Sequence, residues 1–376
     1  MNMDDLDRNG NQPLYRQIRD FIYNNIQNGI FKPGEAIPTE RELCDKLKVS
    51  RYTVRRAIQE LVHEGYLYRV QGNGTFVFDK EEIHEKGDNK LIGVILTHCE
   101  HEMEANILSG IEKAIQSEGY TMTFMSSNND YKKEAEAIQR MKRNGVSGLI
   151  IMPAEDQKDS TAISDLKNEQ FPFVLVDRRL QDCETDCVMS DNINGGYKAT
   201  EYLIKLGHEK IAFVKAEFSE TSSIEDRIIG YKKALKEYGL DYRPELLFSY
   251  DERKLNTEEI YEELYKFIKE KKPTAIVAVN DYVALVIIKM CRVKGISIPN
   301  DISLVGFDNL EFIKHLEVPL TTIAQFSKEI GFSAAKLLIN KIKVKYNNTI
   351  DKINKELLHQ IYYPVELVIR DSCSNV

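Results

Sequence analysis

An α/β chain is predicted, with a small N-terminal helix-turn-helix and hairpin followed by two lobes of doubly wound parallel sheet. Three observations predict it. Residues 14–63 carry three apolar stripes at helical spacing, and residues 66–78, YLYRVQGNGTFVF, place two β-rich runs around glycines. Beyond residue 90, short apolar runs alternate with amphipathic helical patterns, the signature of strands separated by crossover helices. At 376 residues the chain exceeds one ordinary core, and its 42% hydrophobic content suffices for two or three.

The N-terminal elements follow in order. Leu14, Ile18, Phe21, Ile22 and Ile26 recur at helical spacing, and Gly29 with Pro33-Gly34 marks the end of a first amphipathic helix. Thr39 and Glu42 form a T-x-x-E capping box ahead of a short second helix, on which Leu43 and Leu47 lie one turn apart. Ser50 suits the cap of a third helix, whose stripe of Val54, Ala57, Ile58, Leu61 and Val62 ends near Gly65. Its opposite face presents Arg51, Tyr52, Arg55, Arg56 and Gln59, and the first turns of such a helix approach base edges in a major groove. A solvated charged face would share this composition, but the turn and the hairpin that follow favour DNA. The Gly72-Asn73-Gly74 spacing lacks the third glycine of a dinucleotide loop, and no βαβ unit follows it.

Charge agrees with this division. The net charge is −8, but residues 1–80 hold 12 Lys/Arg against 11 Asp/Glu, while the rest holds 39 against 48. Contact with nucleic acid is therefore expected only at the N-terminal end.

The block from Pro13 to Val77 resembles the winged helix-turn-helix of the GntR regulators, with the motif elements in order. The resemblance implies DNA contacts from Arg41, Arg51, Thr53, Arg55, Gln71 and Gly72, with Tyr52 and Arg56 less strongly indicated. It sets a DNA-binding domain at residues 1–78, followed by a polar linker, DKEEIHEKGDN, at 79–89.

From residue 90 the strand candidates are LIGVIL (91–96), MTFM (122–125), GLIIM (148–152), FVLVD (173–177), IAFV (211–214), AIVAV (275–279) and SLVGF (303–307). Nearly 290 residues in this style suggest two subdomains. The stretches SDNINGGYKATEYLIKLGHEKIAFV, EDRIIGYKKAL, PTAIVAVNDYVAL, SLVGFDN and PLTTIAQFSKEIGFSAAKLLI, with the terminal ELVIRDS, resemble the LacI-type sensor, itself similar to periplasmic sugar-binding proteins. Residues 90–376 are thus expected to form a two-lobed, periplasmic-binding-protein-like domain that binds an effector and dimerises. Ligands of such folds sit outside the carboxyl ends of the strands. A polyol needs carboxylate or amide oxygens as acceptors and guanidinium or amide N–H groups as donors. Asp177, Arg178, Arg227, Asn280, Asp308 and Gln325 match the positions of hydroxyl-binding residues in the ribose-binding branch. The competing structural reading makes Asp177 or Asp308 a helix cap and pairs Arg227 with an acidic neighbour; Asp191 and Asp281 are expected to be caps or lobe contacts. After the first strand, where sugar binders place stacking aromatics, this chain has THCEHEMEAN.

Every residue of His98-Cys99-Glu100-His101-Glu102 can ligate a metal. Five consecutive ligand types are expected to diverge, and the pattern is neither H-E-x-x-H nor paired C-x-x-C, so no metal site is expected. Cys183 and Cys187, separated by three residues in a predicted loop, are likewise not expected to form a metal or redox site, and the six cysteines are expected to be reduced thiols rather than a disulfide framework. No nucleophile, base and orienter stand together, so no catalysis and no cofactor are expected. The acidic opening MNMDDLDRNG and the lack of any long uncharged apolar run suggest a cytoplasmic protein without membrane contact.

The GntR head joined to a LacI-type sensor resembles the arabinose repressor family. The resemblance implies a homodimeric repressor of carbohydrate-utilisation genes that binds a near-palindromic operator and is released by a small sugar, L-arabinose being the first choice. A soluble sugar-binding protein and an enzyme with a GntR-type head, such as the pyridoxal-phosphate members, are the alternatives.

Overall fold

The computed structural model describes residues 12–32, 34–63, 66–70, 74–77, 90–154, 161–180, 183–216, 221–251, 256–347 and 358–376. The predicted linker at 79–89 and the wing residues Gln71 and Gly72 lie outside them.

The head consists of α1 (Leu14–Gln27), α2 (Glu40–Leu47), α3 (Arg51–His63) and an antiparallel hairpin of β1 (Leu67–Val70) and β2 (Gly74–Val77). The expected capping box forms, with Thr39 Oγ1 accepting from the Glu42 N–H while the Glu42 carboxylate accepts from the Thr39 N–H. Lys48 then turns the chain in a left-handed conformation, and Ser50 Oγ accepts from the Thr53 N–H to start α3. Ile18 and Ile22 of α1 and Val54, Ala57, Ile58 and Leu61 of α3 are fully buried, so one apolar seam fixes the angle between the helices.

Two six-stranded sheets follow. The first runs β13-β7-β6-β5-β3-β4, built from β3 (Leu91–Leu96), β4 (Thr121–Ser126), β5 (Gly148–Ile151), β6 (Phe173–Val176), β7 (Cys187–Ser190) and β13 (Gln360–Tyr363), all parallel. The second runs β14-β12-β11-β10-β8-β9, from β8 (Ile211–Ala216), β9 (Leu247–Tyr250), β10 (Ala275–Ala278), β11 (Ser303–Asp308), β12 (Thr321–Ala324) and β14 (Glu366–Val368), with only β14 antiparallel. All seven predicted strands are present within two residues at each end.

The chain passes between the sheets three times, after β7, after β12 and between β13 and β14. These crossings set the carboxyl ends of both sheets toward one cleft. The helices after the first two crossings, α7 (Asn192–Lys205) and α11 (Ser327–Asn347), each pack tightly on the first helix of the lobe they enter: α7 on α8 (Ser222–Glu237), α11 on α4 (Glu102–Ser117). A Cβ at Gly196 of α7 would lie 2.1 Å from the Arg227 carbonyl oxygen, so glycine there is what lets the backbones touch. Among the described residues no helix is long and apolar enough to cross a membrane.

Candidate functional site

Two groups of polar side chains stand out, one on the head and one between the sheets. On the head, Glu40, the first residue of α2, gathers three arginines. Its carboxylate lies 3.3 Å from Arg51 Nε, 3.1 Å from Arg55 Nη2 and 2.9 Å from Arg69 Nη2. Burial raises the Glu40 carboxyl, but Arg55, Arg69 and Arg51 together outweigh it and hold the group below its ordinary range. Arg51 and Arg55 therefore share one face of α3 with their stems held and their guanidinium edges open: the Arg51 side chain is 74% exposed. Arg41 and Tyr52 are also exposed beside them. Thr53 has a local task, its hydroxyl 2.7 Å from Ser50 Oγ in the helix cap. Arg56 lies over the Tyr15 ring at 3.8 Å, which pins α3 to α1.

The second group lies where the two sheets end. Asp177 and Arg178 follow β6; Asp177 is buried with φ 68°, and its carboxylate accepts from Arg178 Nε at 3.3 Å. Arg178 Nη1 is buried without a hydrogen-bond partner among the described residues, an uncommon state for a guanidinium nitrogen. Arg227, on α8 of the second lobe, donates from Nε to Asn192 Oδ1 at 2.9 Å and from Nη1 to the Val279 carbonyl at 2.6 Å. Its plane lies 3.6 Å above the Phe307 ring, and Nη2 stands 3.7 Å from Asp308.

Asp308 ends β11 with φ 115° and accepts from Gln325 Nε2 at 2.5 Å. Burial pushes its carboxyl well up, against the pull of Arg227. Gln325 follows β12 at a crossing and spans both lobes: Oε1 accepts from Ser190 at the end of β7 at 2.5 Å, while Nε2 serves Asp308. Carboxylate, amide and guanidinium groups thus converge on one space, the donor and acceptor set that a hydroxylated ligand requires.

Asn280 is placed differently from its five companions. Its Oδ1 accepts from the Val283 N–H and caps α10 (Asp281–Lys294), which leaves the amide nitrogen as its group for a ligand. Asp191 caps α7, as expected. Asp281 is a contact between elements: it accepts from Thr322 Oγ1 at 2.7 Å and from the Leu310 N–H at 2.9 Å. Burial raises its carboxyl to about 7.

A clasp beside the cleft was invisible in the sequence. Arg179 of the first lobe forms a bidentate pair with Asp226 of α8 at 2.6 and 2.9 Å, and its N–H donates to Ser222 Oγ at 2.8 Å. Asp226 stands 47 residues away, so no spacing announces it; the Arg178-Arg179 pair was the one available hint. The loop after β3 also departs from expectation. His98, Glu100 and His101 do converge, their ligand atoms all lying within 4.8 Å of one another, because the chain bends back on itself before α4.

Comparison with known proteins agrees with both regions. Residues 14–77 match the family described as bacterial regulatory proteins, gntR family, and residues 89–367 match periplasmic binding proteins and the sugar binding domain of the LacI family. The chain is 35% identical to an arabinose metabolism transcriptional repressor of Geobacillus stearothermophilus, over 97% of this chain and 98% of the relative. It is 32% identical to a protein of the same name from Halalkalibacterium halodurans, over 95% and 96%. Among solved structures it resembles a LacI family transcriptional regulator from Enterococcus faecium with bound ribose, at 26% identity and a TM-score of 0.64, over 76% of this chain and 99% of the other. A ribose operon repressor from Lactobacillus acidophilus is similar at 26% identity and a TM-score of 0.63, over 77% and 100%. The chain therefore belongs to the family of the arabinose metabolism transcriptional repressors, sugar-responsive DNA-binding proteins that join a GntR-type head to a LacI-type sugar-binding domain.

Proposed function

We propose that the chain acts without catalysis, in the cytoplasm, as a homodimeric repressor of carbohydrate-utilisation genes, and that L-arabinose releases it from its operator. In this reading residues 1–78 bind DNA and 90–376 sense the sugar. Arg51 and Arg55 read the major groove, Arg41 and Thr53 contact the duplex beside them, and Gln71 and Gly72 of the wing lie along the backbone. Glu40 positions the two reading arginines. The sugar is held by Asp177 and Arg178 from one lobe, by Arg227, Asn280 and Asp308 from the other, and by Gln325 between them. The observation that carries this is the convergence of those groups on one cleft, with a buried Arg178 nitrogen that has no acceptor among the described residues.

Coupling has a physical route. Ser190, which bonds Gln325, pairs in register with Tyr363 of β13, and β13 runs beside β1 of the head. A ligand that draws Gln325 away from Ser190 acts on the β7–β13 pair beside β1, the strand whose Arg69 bonds Glu40. A tenfold preference of sugar for the DNA-free arrangement corresponds to about 1.4 kcal/mol of coupling.

A thermal-shift screen of pentoses and hexoses on the full chain tests the reading. L-arabinose at about 100 times its dissociation constant is expected to stabilise by roughly 2.7 kcal/mol and to release operator DNA in a gel-shift assay. Stabilisation by another sugar alone would refute L-arabinose as the effector; stabilisation by none would refute the sugar site.

A further inference from the structure

We propose that His98, Glu100 and His101 form a binding site for a divalent transition-metal ion of the zinc class at the mouth of the cleft. The site is built on the short loop between β3 and α4, in the place where sugar binders of this fold carry a stacking aromatic. Two imidazoles and one carboxylate make a mixed nitrogen and oxygen donor set of borderline softness, which suits zinc and its neighbours rather than calcium or magnesium. The ligand atoms lie within 4.8 Å of one another. Around one zinc ion such atoms stand about 3.3–3.5 Å apart, from bond lengths near 2.0–2.2 Å. The contraction is small, and the side chains have room to make it: Glu100 is 67% exposed and His101 38%.

The surroundings fit a metal-bound imidazole. Buried Glu104 brings Oε1 to 3.6 Å from His101 Nδ1 and is itself held by Thr97 Oγ1 at 3.1 Å. A carboxylate behind one ring nitrogen orients the imidazole and leaves Nε2 for the ion. The two histidine rings lie 4.4 Å apart between centroids, tilted by 40°, close enough to share one ion. Three protein ligands leave at least one coordination position for water or a hydroxylated ligand in the cleft.

The position gives the ion a consequence for the lobes. His101 rests on Tyr282 of the second lobe at 5.1 Å, and the adjacent Glu102 carboxylate accepts from the Glu311 N–H at 2.9 Å. An ion that fixes the His98–His101 loop therefore stiffens the contact surface that the second lobe closes upon.

Isothermal titration of the untagged full-length protein with Zn²⁺, together with visible absorption after Co²⁺ addition, tests the site. One ion per chain is expected, with Co²⁺ bands of nitrogen and oxygen coordination and no thiolate-to-cobalt band in the near ultraviolet. The His98→Ala/His101→Ala double variant is expected to lose at least tenfold in affinity, and Glu100→Gln to lose affinity while keeping the far-ultraviolet spectrum. Should the double variant not fold, His98→Gln carries the same expectation, since it retains the size and polarity of a half-exposed loop residue. Absence of Zn²⁺ binding at 100 µM ion, on the order of a weak surface site by its free energy, overturns the proposal. So does a thiolate band, which would place the ion at cysteines, or unchanged affinity in these variants.

Discussion

Replacing Arg227 with alanine removes the group on which the cleft turns. The loss strands the Asn192 Oδ1 and Val279 carbonyl acceptors, both now at hydrogen-bond distance, and separates Asp308 from its cation at 3.7 Å. Breaking a buried ion pair by removing one partner costs about 3–5 kcal/mol. The lower end applies, about 3 kcal/mol, because burial already drives the Asp308 carboxyl upward and it can take a proton instead of remaining as an uncompensated charge. Lobes of this size are stable by roughly 5–15 kcal/mol, so the variant is expected to fold. Urea unfolding should show a lower midpoint with an unchanged slope, and addition of L-arabinose should no longer restore stability. Arg227→Lys, which keeps the charge but not the planar fork, should recover part of the stability and little of the sugar response. A destabilisation under about 1 kcal/mol, against the 3–5 kcal/mol of a broken buried pair, would refute the structural part of this reasoning. An undiminished response to sugar would refute the functional part.

Other expectations concern separate elements. Gly196→Ala drives a methyl group against the Arg227 backbone, 2.1 Å from its carbonyl oxygen, and overpacking of this kind costs about 1–3 kcal/mol or more; an unchanged melting temperature would mean that α7 and α8 can separate freely. Asp281 has a folded pKa near 7, above its value of about 3.9 in an unfolded chain, so its contribution to stability is full below pH 4 and is lost as pH rises through 7. Asp281→Asn should accordingly gain relative to the unsubstituted protein between pH 5 and pH 8, on the order of the 1.4 kcal/mol per pKa unit that linkage allows, as read by melting curves at both pH values. Arg51→Ala and Arg55→Ala should each cost about 1–3 kcal/mol in operator binding and relax its sequence preference. Because their ion pairs with Glu40 are exposed on the arginine side, stability should change by less than about 1 kcal/mol; an intact footprint would sink the assignment of the recognition helix.

The legible parts of the fold were those with a strong local signal. The three head helices showed themselves through period, the capping box and Ser50, and the seven predicted strands are runs of four to six apolar residues. The strands that escaped, β7, β9, β12, β13 and β14, read CVMS, LFSY, TTIA, QIYY and ELV. Each is three or four residues long, with polar members, and takes its stability from neighbouring strands rather than from its own pattern. At the cleft, the resemblance to sugar-binding proteins pointed to Asp177, Arg178, Arg227, Asp308 and Gln325, and the structure sets Asp177 beside Arg178 and Asp308 between Arg227 and Gln325. Asn280 looked the same in the sequence but spends its oxygen on a helix cap, because an asparagine directly before a helix serves that local donor first.

By itself the sequence determined the order of the domains, the faces of the helices and the chemical types at the strand ends, all of which depend on neighbours within a few residues. Only the tertiary structure decided that Glu40 binds three arginines 11, 15 and 29 residues away, that Arg179 meets Asp226, and that Gln325 joins Ser190 to Asp308. It likewise decided that three of five consecutive ligand types at residues 98–102 converge where divergence was expected. Such pairings depend on where three crossings bring the two sheets together, and a hydrogen bond at 3 Å is satisfied by proximity in space, whatever the separation along the chain.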